Sequence, residues 1–294
     1  AEQGHPGAQF SLGLLYEEGL GVPRDYGIAT QWYKKASQQG ERIAQSSLGE
    51  MYQKGWFVPK EDKEALRWYR MAAERGKAVA QYILGMMYEE GEGTHQDYDA
   101  AARWYRLAAE KGEPSAQFRI GVMYQQGTGV PRDDEEALRW YRLAAEHGNA
   151  DAQFNLGFLA ENQGSAEGYR EAARWYRLAA DQGDSGAQVN LGVLYHQGRG
   201  VPQDHAEAIR WFQTAAEGGD ALGQYKMGVD YAHGHGVPKD PVLALMWLTL
   251  AAQQGHKHAM EMVDTVTKDM TPEQISEART RAKNWKPREH VQGS

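Results

Sequence analysis

Apolar residues in this chain return at helical spacing, in pairs of short segments separated by polar, glycine-rich stretches. Between residues 116 and 145, Ala116, Ile120 and Tyr124 fall at i, i+4, i+8, and Ala137, Trp140, Tyr141 and Ala144 fall at i, i+3, i+4, i+7. Each set forms one apolar stripe of a helix. Gly127 and Gly129 permit positive φ where the first segment stops, Pro131 and Asp133 suit the start of the second, and Gly148 closes it. The pattern predicts helix, Gly/Pro loop, helix.

That unit recurs. Tryptophans fall at Trp32, Trp68, Trp104, Trp140, Trp175, Trp211 and Trp247, with gaps of 36 residues and one of 35. Glycines at 13, 49, 85, 121, 157, 192 and 228 and glutamines at 9, 45, 81, 117, 153, 188 and 224 share the same phase and the same exception. A fixed period of this size marks a repeat array. One helical pair cannot cover both of its apolar faces, so stacking on neighbours supplies the core. Small residues such as Gly121 and Ala145 sit where helices must approach closely, and Tyr124 and Trp140 fill the adjacent layer.

Written out, the unit is Ala-Gln-x-x-Leu-Gly-x-x-Tyr, Gly-x-Gly-Val-x-x-Asp, Ala-x-x-Trp-Tyr-x-x-Ala-Ala, and over about residues 1–264 it resembles the Sel-one-like repeat family, a relative of the tetratricopeptide repeat. The resemblance implies an all-α, right-handed superhelical solenoid of antiparallel helix pairs. It also implies an adaptor, a scaffold, a host-facing secreted binder or an inhibitor of secreted bacterial toxins. Seven repeats are expected over 1–255. They start inside a truncated preceding repeat, because Ala1-Glu2-Gln3-Gly4 matches the repeat ending Ala73-Glu74-Arg75-Gly76. Residues 256–286 are expected to hold a partial eighth repeat and a C-terminal capping helix, opened by the capping-box string Thr271-Pro272-Glu273-Gln274, with a tail over 287–294. The pattern is broken by Phe57 in the second loop, by Gly223 in the seventh copy, and in the fifth copy by Ala160 and a rewritten loop, Asn162 to Arg170.

Composition narrows the function. A net charge of −8 and a pI near 5.7 disfavour a nucleic-acid partner. The longest apolar run, Pro241 to Ala252, is shorter than the roughly 20 residues of a membrane-spanning helix. Without cysteine the chain has no disulfide, thiolate metal site or cysteine nucleophile. Each Gly-x-Gly is repeat punctuation rather than a phosphate-cradling loop, and the carboxylates are periodic rather than singular, so no enzyme and no cofactor are expected. The paired arginines Arg67 and Arg70, Arg103 and Arg106, Arg139 and Arg142, and Arg174 and Arg177 are expected to form helical ion pairs with Glu74, Glu110, Glu146 and Asp181. His196, His233, His235, His256 and His258 gather near the C-terminal end. Imidazole is a common metal ligand, but these are read as loop or solvent-facing side chains, and no metal site is assigned.

In the tetratricopeptide fold the first helix of each pair lines the concave surface, and the shared Leu-Gly-x-x-Tyr register carries that expectation here. The stripe then comprises Phe10, Tyr82, Phe118, Phe154 and Tyr225 just after the glutamines, Arg119, Asn155, Asn190 and Lys226 one residue later, and Met86, Val122 and Phe158 a turn on. An apolar groove with a few donors suits a protein or peptide partner. The competing reading of the aromatics is packing against neighbouring repeats. The polar members resist that reading, because desolvated donors need acceptors. The expected function is a protein-interaction module or adaptor. The alternatives are an inhibitor or immunity protein against a secreted toxin such as a lipase, and a scaffold of cell-envelope assembly. A monomer is expected, in a bacterium, periplasmic or secreted rather than cytoplasmic.

Overall fold

The structure, a computed structural model, describes residues 4–54 and 60–288. Phe57, residues 1–3 and the end of the expected tail, 289–294, lie outside the described residues. Among the described residues there are sixteen α-helices and no strand. Seven antiparallel pairs follow one another: α1 (Pro6–Glu18) with α2 (Tyr26–Gln38), α3 (Arg42–Lys54) with α4 (Asp62–Glu74), α5 (Ala78–Glu90) with α6 (Tyr98–Ala109), α7 (Pro114–Gln126) with α8 (Asp134–Glu146), α9 (Ala150–Glu161) with α10 (Ala166–Asp181), α11 (Ser185–Gln197) with α12 (His205–Glu217), and α13 (Ala221–His233) with α14 (Pro241–Gln253). Helices α15 (Lys257–Thr267) and α16 (Pro272–Asn284) complete the order. The chain forms two compact units, residues 1–149 and 150–294. Within each, the second helix of a pair packs on the first helix of the next, as α4 does on α5 and α12 on α13. The fold is an all-α solenoid of about 36-residue pairs.

Within a pair, the glycine of the first helix meets the ring of the second. Tyr33, Tyr69, Tyr105, Tyr141 and Tyr176 are fully buried. A Cβ added at Gly13, Gly49, Gly85, Gly121 or Gly157 would lie 2.6–3.0 Å from the facing ring carbons. No side chain fits there without moving the helices apart. Each buried phenol must still place its hydroxyl, and the last turn of the first helix provides an acceptor. Tyr33 donates to Glu17, Tyr69 to Gln53 (3.3 Å), Tyr105 to Glu89 (2.5 Å), Tyr141 to Gln125 (2.9 Å) and Tyr176 to Glu161 (2.8 Å). In the last two pairs the ring position holds Phe212 and Leu248, and no hydroxyl needs placing.

Between pairs, the buried glutamine of one first helix reaches back to the preceding second helix. Gln45, Gln81 and Gln117 donate through Nε2 to the carbonyls of Ser37, Ala73 and Ala109, each at 3.0 Å, and Gln188 donates to Ala180 at 3.2 Å. These carbonyls lie at helix C-termini, where each also accepts from the backbone N–H of the glycine three residues on, and the glutamine adds a second donor that ties one pair to the next. The second loop glycine makes the other inter-pair contact. A Cβ at Gly129 would stand 2.2 Å from the Tyr98 carbonyl oxygen, and one at Gly200 2.3 Å from that of Tyr169.

The fifth pair lacks that loop, and its second helix has grown instead. Helix α10 is 16 residues long, capped by the Ser165 hydroxyl, and Gly168 lets its first turn close on the Ala160 carbonyl, where a Cβ would come within 2.4 Å. Helix α16 opens with a complete capping box between Thr271 and Gln274, packs on α14 through buried Ala278 and Ala282, and is followed by Trp285, which stands edge-on to Trp247 at 6.0 Å.

Gly85→Ala is therefore expected to destabilise the chain by about 1–3 kcal/mol through overpacking against Tyr105, despite the better helix propensity of alanine. Gln117→Met removes one of the two donors to the Ala109 carbonyl and is expected to cost about 0.5–1.5 kcal/mol. Urea unfolding followed by far-ultraviolet circular dichroism measures both.

Candidate functional site

Unit by unit, the structure shows what each member of the predicted stripe touches. In residues 1–149, Phe10 stacks on Tyr33 with ring centroids 5.5 Å apart, Tyr82 tilts on Tyr105 at 5.8 Å, and Phe118 on Tyr141 at 5.6 Å. In residues 150–294, Phe154 meets Tyr176 at 5.8 Å in the same way. One face of each ring is thus committed to its own pair, and the residue stays half-buried. These aromatics pack on the tyrosine of their own pair and keep an accessible edge. Met86 and Val122 are likewise half-buried, and Met86 leans on the core around Tyr105 and Ile120. Phe158 differs, being 50% exposed one turn beyond Phe154.

Two of the polar members, Arg119 and Asn190, find partners inside the fold. Arg119 lies 3.9 Å from Glu89, the same carboxylate that accepts from the Tyr105 hydroxyl, and it also bonds Tyr82. Burial works against the guanidinium charge, but Glu89, Tyr105 and Tyr82 outweigh it and hold its pKa above the usual value. Burial, reinforced by Glu89, raises the Tyr105 phenol, so the hydroxyl keeps its proton and donates it in a hydrogen bond to Glu89. Asn190 bonds the Tyr176 hydroxyl that donates to Glu161. A polar stripe residue thus reads the tyrosine–carboxylate pair of the preceding repeat. Asn155 is half-buried. Tyr225 stacks on His256 at 4.5 Å, with His258 at 6.4 Å and the Lys226 ammonium at 6.0 Å.

The arginine pairs do not follow the expected i, i+4 scheme. Arg70, Arg106 and Arg177 donate to the hydroxyls of Tyr88, Tyr124 and Tyr195 on the next first helix. Arg67 and Arg139 pair instead with Glu64 and Glu136, three residues earlier, at 3.5 and 3.2 Å. The reason is reach: the tyrosine of the next repeat overhangs the second helix and offers an oxygen that a solvated carboxylate four residues on does not better.

The sequence reading passed over Asp230 and His205. Lys226, His196 and His235 line a cavity of about 140 Å³ with Phe212 and Asp230. Asp230 is 4% exposed, and burial pushes its carboxyl up to about 6. The signal that could have found it is register, because the same position holds Leu15, Met51, Met87, Met123, Leu159 and Leu194 in the other pairs.

Comparison with known proteins agrees with this architecture. The Sel1 repeat model matches residues 6–41, 42–77, 78–113, 114–149, 150–184, 185–220 and 221–256. A Sel1 repeat protein from Oxalobacter formigenes is 36% identical over 90% of this chain and 77% of its own, with a TM-score of 0.75. A protective antigen present in uropathogenic Escherichia coli strains, displaying an SLR fold, is 33% identical over 97% of this chain and 69% of its own, with a TM-score of 0.60. An immunity protein from Pseudomonas aeruginosa is 22% identical over 72% of this chain and 80% of its own, with a TM-score of 0.46. No curated protein matches the chain. No helix among the described residues is long and apolar enough to cross a membrane. With seven matched repeats covering most of its length, the chain belongs to the Sel1 repeat family, whose members mediate protein–protein interaction.

Proposed function

We propose that this chain is a non-enzymatic binding module whose first-helix stripe holds a protein or peptide partner. The observation that supports this most strongly is the anchoring of its charged and aromatic groups. Arg119 is held by Glu89 and Tyr82 while its side chain remains 40% exposed, and Phe118 and Tyr82 are held by the tyrosines beneath them. A group already fixed in place loses little rotamer freedom when a partner arrives, and that loss is a main cost of association. In the second unit Phe154 and exposed Phe158 form an i, i+4 aromatic pair of the kind that receives an apolar anchor from a helix or extended peptide.

The immunity-protein alternative is a sharper form of the same reading, but the Pseudomonas aeruginosa likeness is too distant to add to it. The scaffold alternative shares the same fold, and no feature of the stripe favours it. The compartment that accompanies the reading is periplasmic or extracellular in a bacterium, and the chain acts as a monomer.

The stripe is tested by a pull-down from a bacterial lysate with the chain as bait, followed by titration of the captured partner against Arg119→Met and Phe158→Ala variants. Both positions are partly exposed, so each substitution is expected to cost less than about 1 kcal/mol of stability. Binding is expected to weaken about tenfold or more in each, which is about 1.4 kcal/mol. Unchanged affinity in both variants would remove the stripe as the binding face.

A further inference from the structure

Two departures from the repeat shape one spot on the stripe of the second unit. Where the other pairs place methionine or leucine, the seventh places the shorter Asp230, and the cavity of about 140 Å³ lies against it. Where the first five pairs place a buried tyrosine, the sixth places Phe212, whose ring forms a wall of that cavity with no hydroxyl to satisfy. Val193 and Val229 are the other apolar walls. Both hold the register of Met86, Val122 and Phe158, so the cavity belongs to the stripe. An apolar cavity of roughly 150 Å³ accepts a benzene-sized group. This one therefore has room for the side chain of a leucine or a phenylalanine.

The rim of the cavity carries the opposite character. Lys226, His196 and His235 line it, and the ring centroids of His196 and His235 are 5.7 Å apart, with His205 4.8 Å from His196. His233 and His235 are exposed, as read from the sequence, whereas His196 is half-buried. Among the described residues lining the cavity the one acid is Asp230, and it lies beneath the rim, 4% exposed, with its Oδ2 enclosed and without a hydrogen-bond partner. Its Oδ1 stands 3.6 Å from Nδ1 of His235. Burial raises the Asp230 pKa, and Lys226, His205 and His233 draw it back down. The buried carboxylate thus acts as a fixed counter-charge that holds groups of like sign together at the surface. In a chain of net charge −8 this leaves a basic mouth over an apolar floor.

We infer that this cavity anchors an acidic segment of the partner: a leucine- or phenylalanine-sized side chain fills it, and an aspartate or glutamate beside that residue meets Lys226, His196 and His235. The inference rests on the reading of the first-helix stripe as the partner-binding face and assigns the chemistry that face selects in the second unit. The apolar walls turn away a charged side chain, since a charge buried there would lack a partner. The rim turns away a basic segment by repulsion, and an apolar segment without an acid would cover the Lys226 ammonium and leave it unpaired. An apolar residue flanked by a carboxylate satisfies both parts. The Lys226 ammonium stands 6.0 Å from the Tyr225 ring centroid, which steadies it for the contact.

Selection of a phage-displayed library of random peptides on the full chain, followed by fluorescence anisotropy of the enriched peptides, tests it. Enriched sequences are expected to carry Asp or Glu next to Leu, Ile, Met or Phe. Lys226→Met, which keeps the stem of a partly exposed side chain and removes its charge, and exchange of the peptide's acid for its amide are each expected to weaken binding about tenfold. The two changes together should cost little more than either alone, because they remove one contact. Val193→Phe, which fills the cavity, should weaken binding to a similar degree, with far-ultraviolet circular dichroism confirming its fold. Absence of enrichment, enrichment without the acid, or affinity unchanged in Lys226→Met would each overturn the inference. Peptides indifferent to Lys226→Met but weakened by Phe158→Ala would leave the stripe standing without this anchor, and peptides indifferent to both would remove the stripe as well.

Discussion

Each of the first five repeats rests on one contact, a glycine of the first helix against the flat ring of a tyrosine in the second, as Gly85 meets Tyr105. Close approach needs the glycine, because a side chain there would collide with the ring. The contact has a chemical consequence. A buried phenol needs an acceptor, and the last turn of the first helix supplies Glu or Gln for it. A carboxylate placed there for packing reasons then becomes an anchor for the next repeat, as Glu89 does for Arg119. Packing, polar satisfaction and surface chemistry are thus consecutive results of one constraint.

Sixth and seventh repeats show what happens when the constraint relaxes. Phe212 and Leu248 fill the ring position without a hydroxyl, and the acceptor register is free to hold His196 and Ala232. The core still closes, since Gly192 and Gly228 meet these side chains as tightly as the earlier glycines meet tyrosine. What changes is the polar chemistry, and Asp230 enters the neighbouring core layer there.

Much of this was legible in the sequence. The tryptophan, glycine and glutamine ladders located the pairs, since a residue that recurs every 36 positions in a stacked array must do the same job each time. The aromatic stripe was legible as a row of residues, but not as rings seated on Tyr33, Tyr105, Tyr141 and Tyr176, because that pairing lies across two helices. Partners of Arg70 and Arg106 were misjudged for a related reason. Spacing along one helix suggested glutamates, whereas the oxygen within reach belongs to the tyrosine of the next repeat. Asp230 and His205 escaped because attention to what recurs hides what occurs once. In a repeat protein the singular residue, read against its own register, is the more informative one for chemistry.

The proposed binding module would keep its scaffold in the second helices and its recognition surface in the first. Hydroxyl-radical footprinting of the chain, with and without its captured partner, reads that division side chain by side chain. Protection concentrated on Tyr82, Met86 and Phe158 is the result predicted here. Protection of Leu107 and Leu178, the exposed leucines of the second helices, with the first-helix residues unchanged, would contradict it.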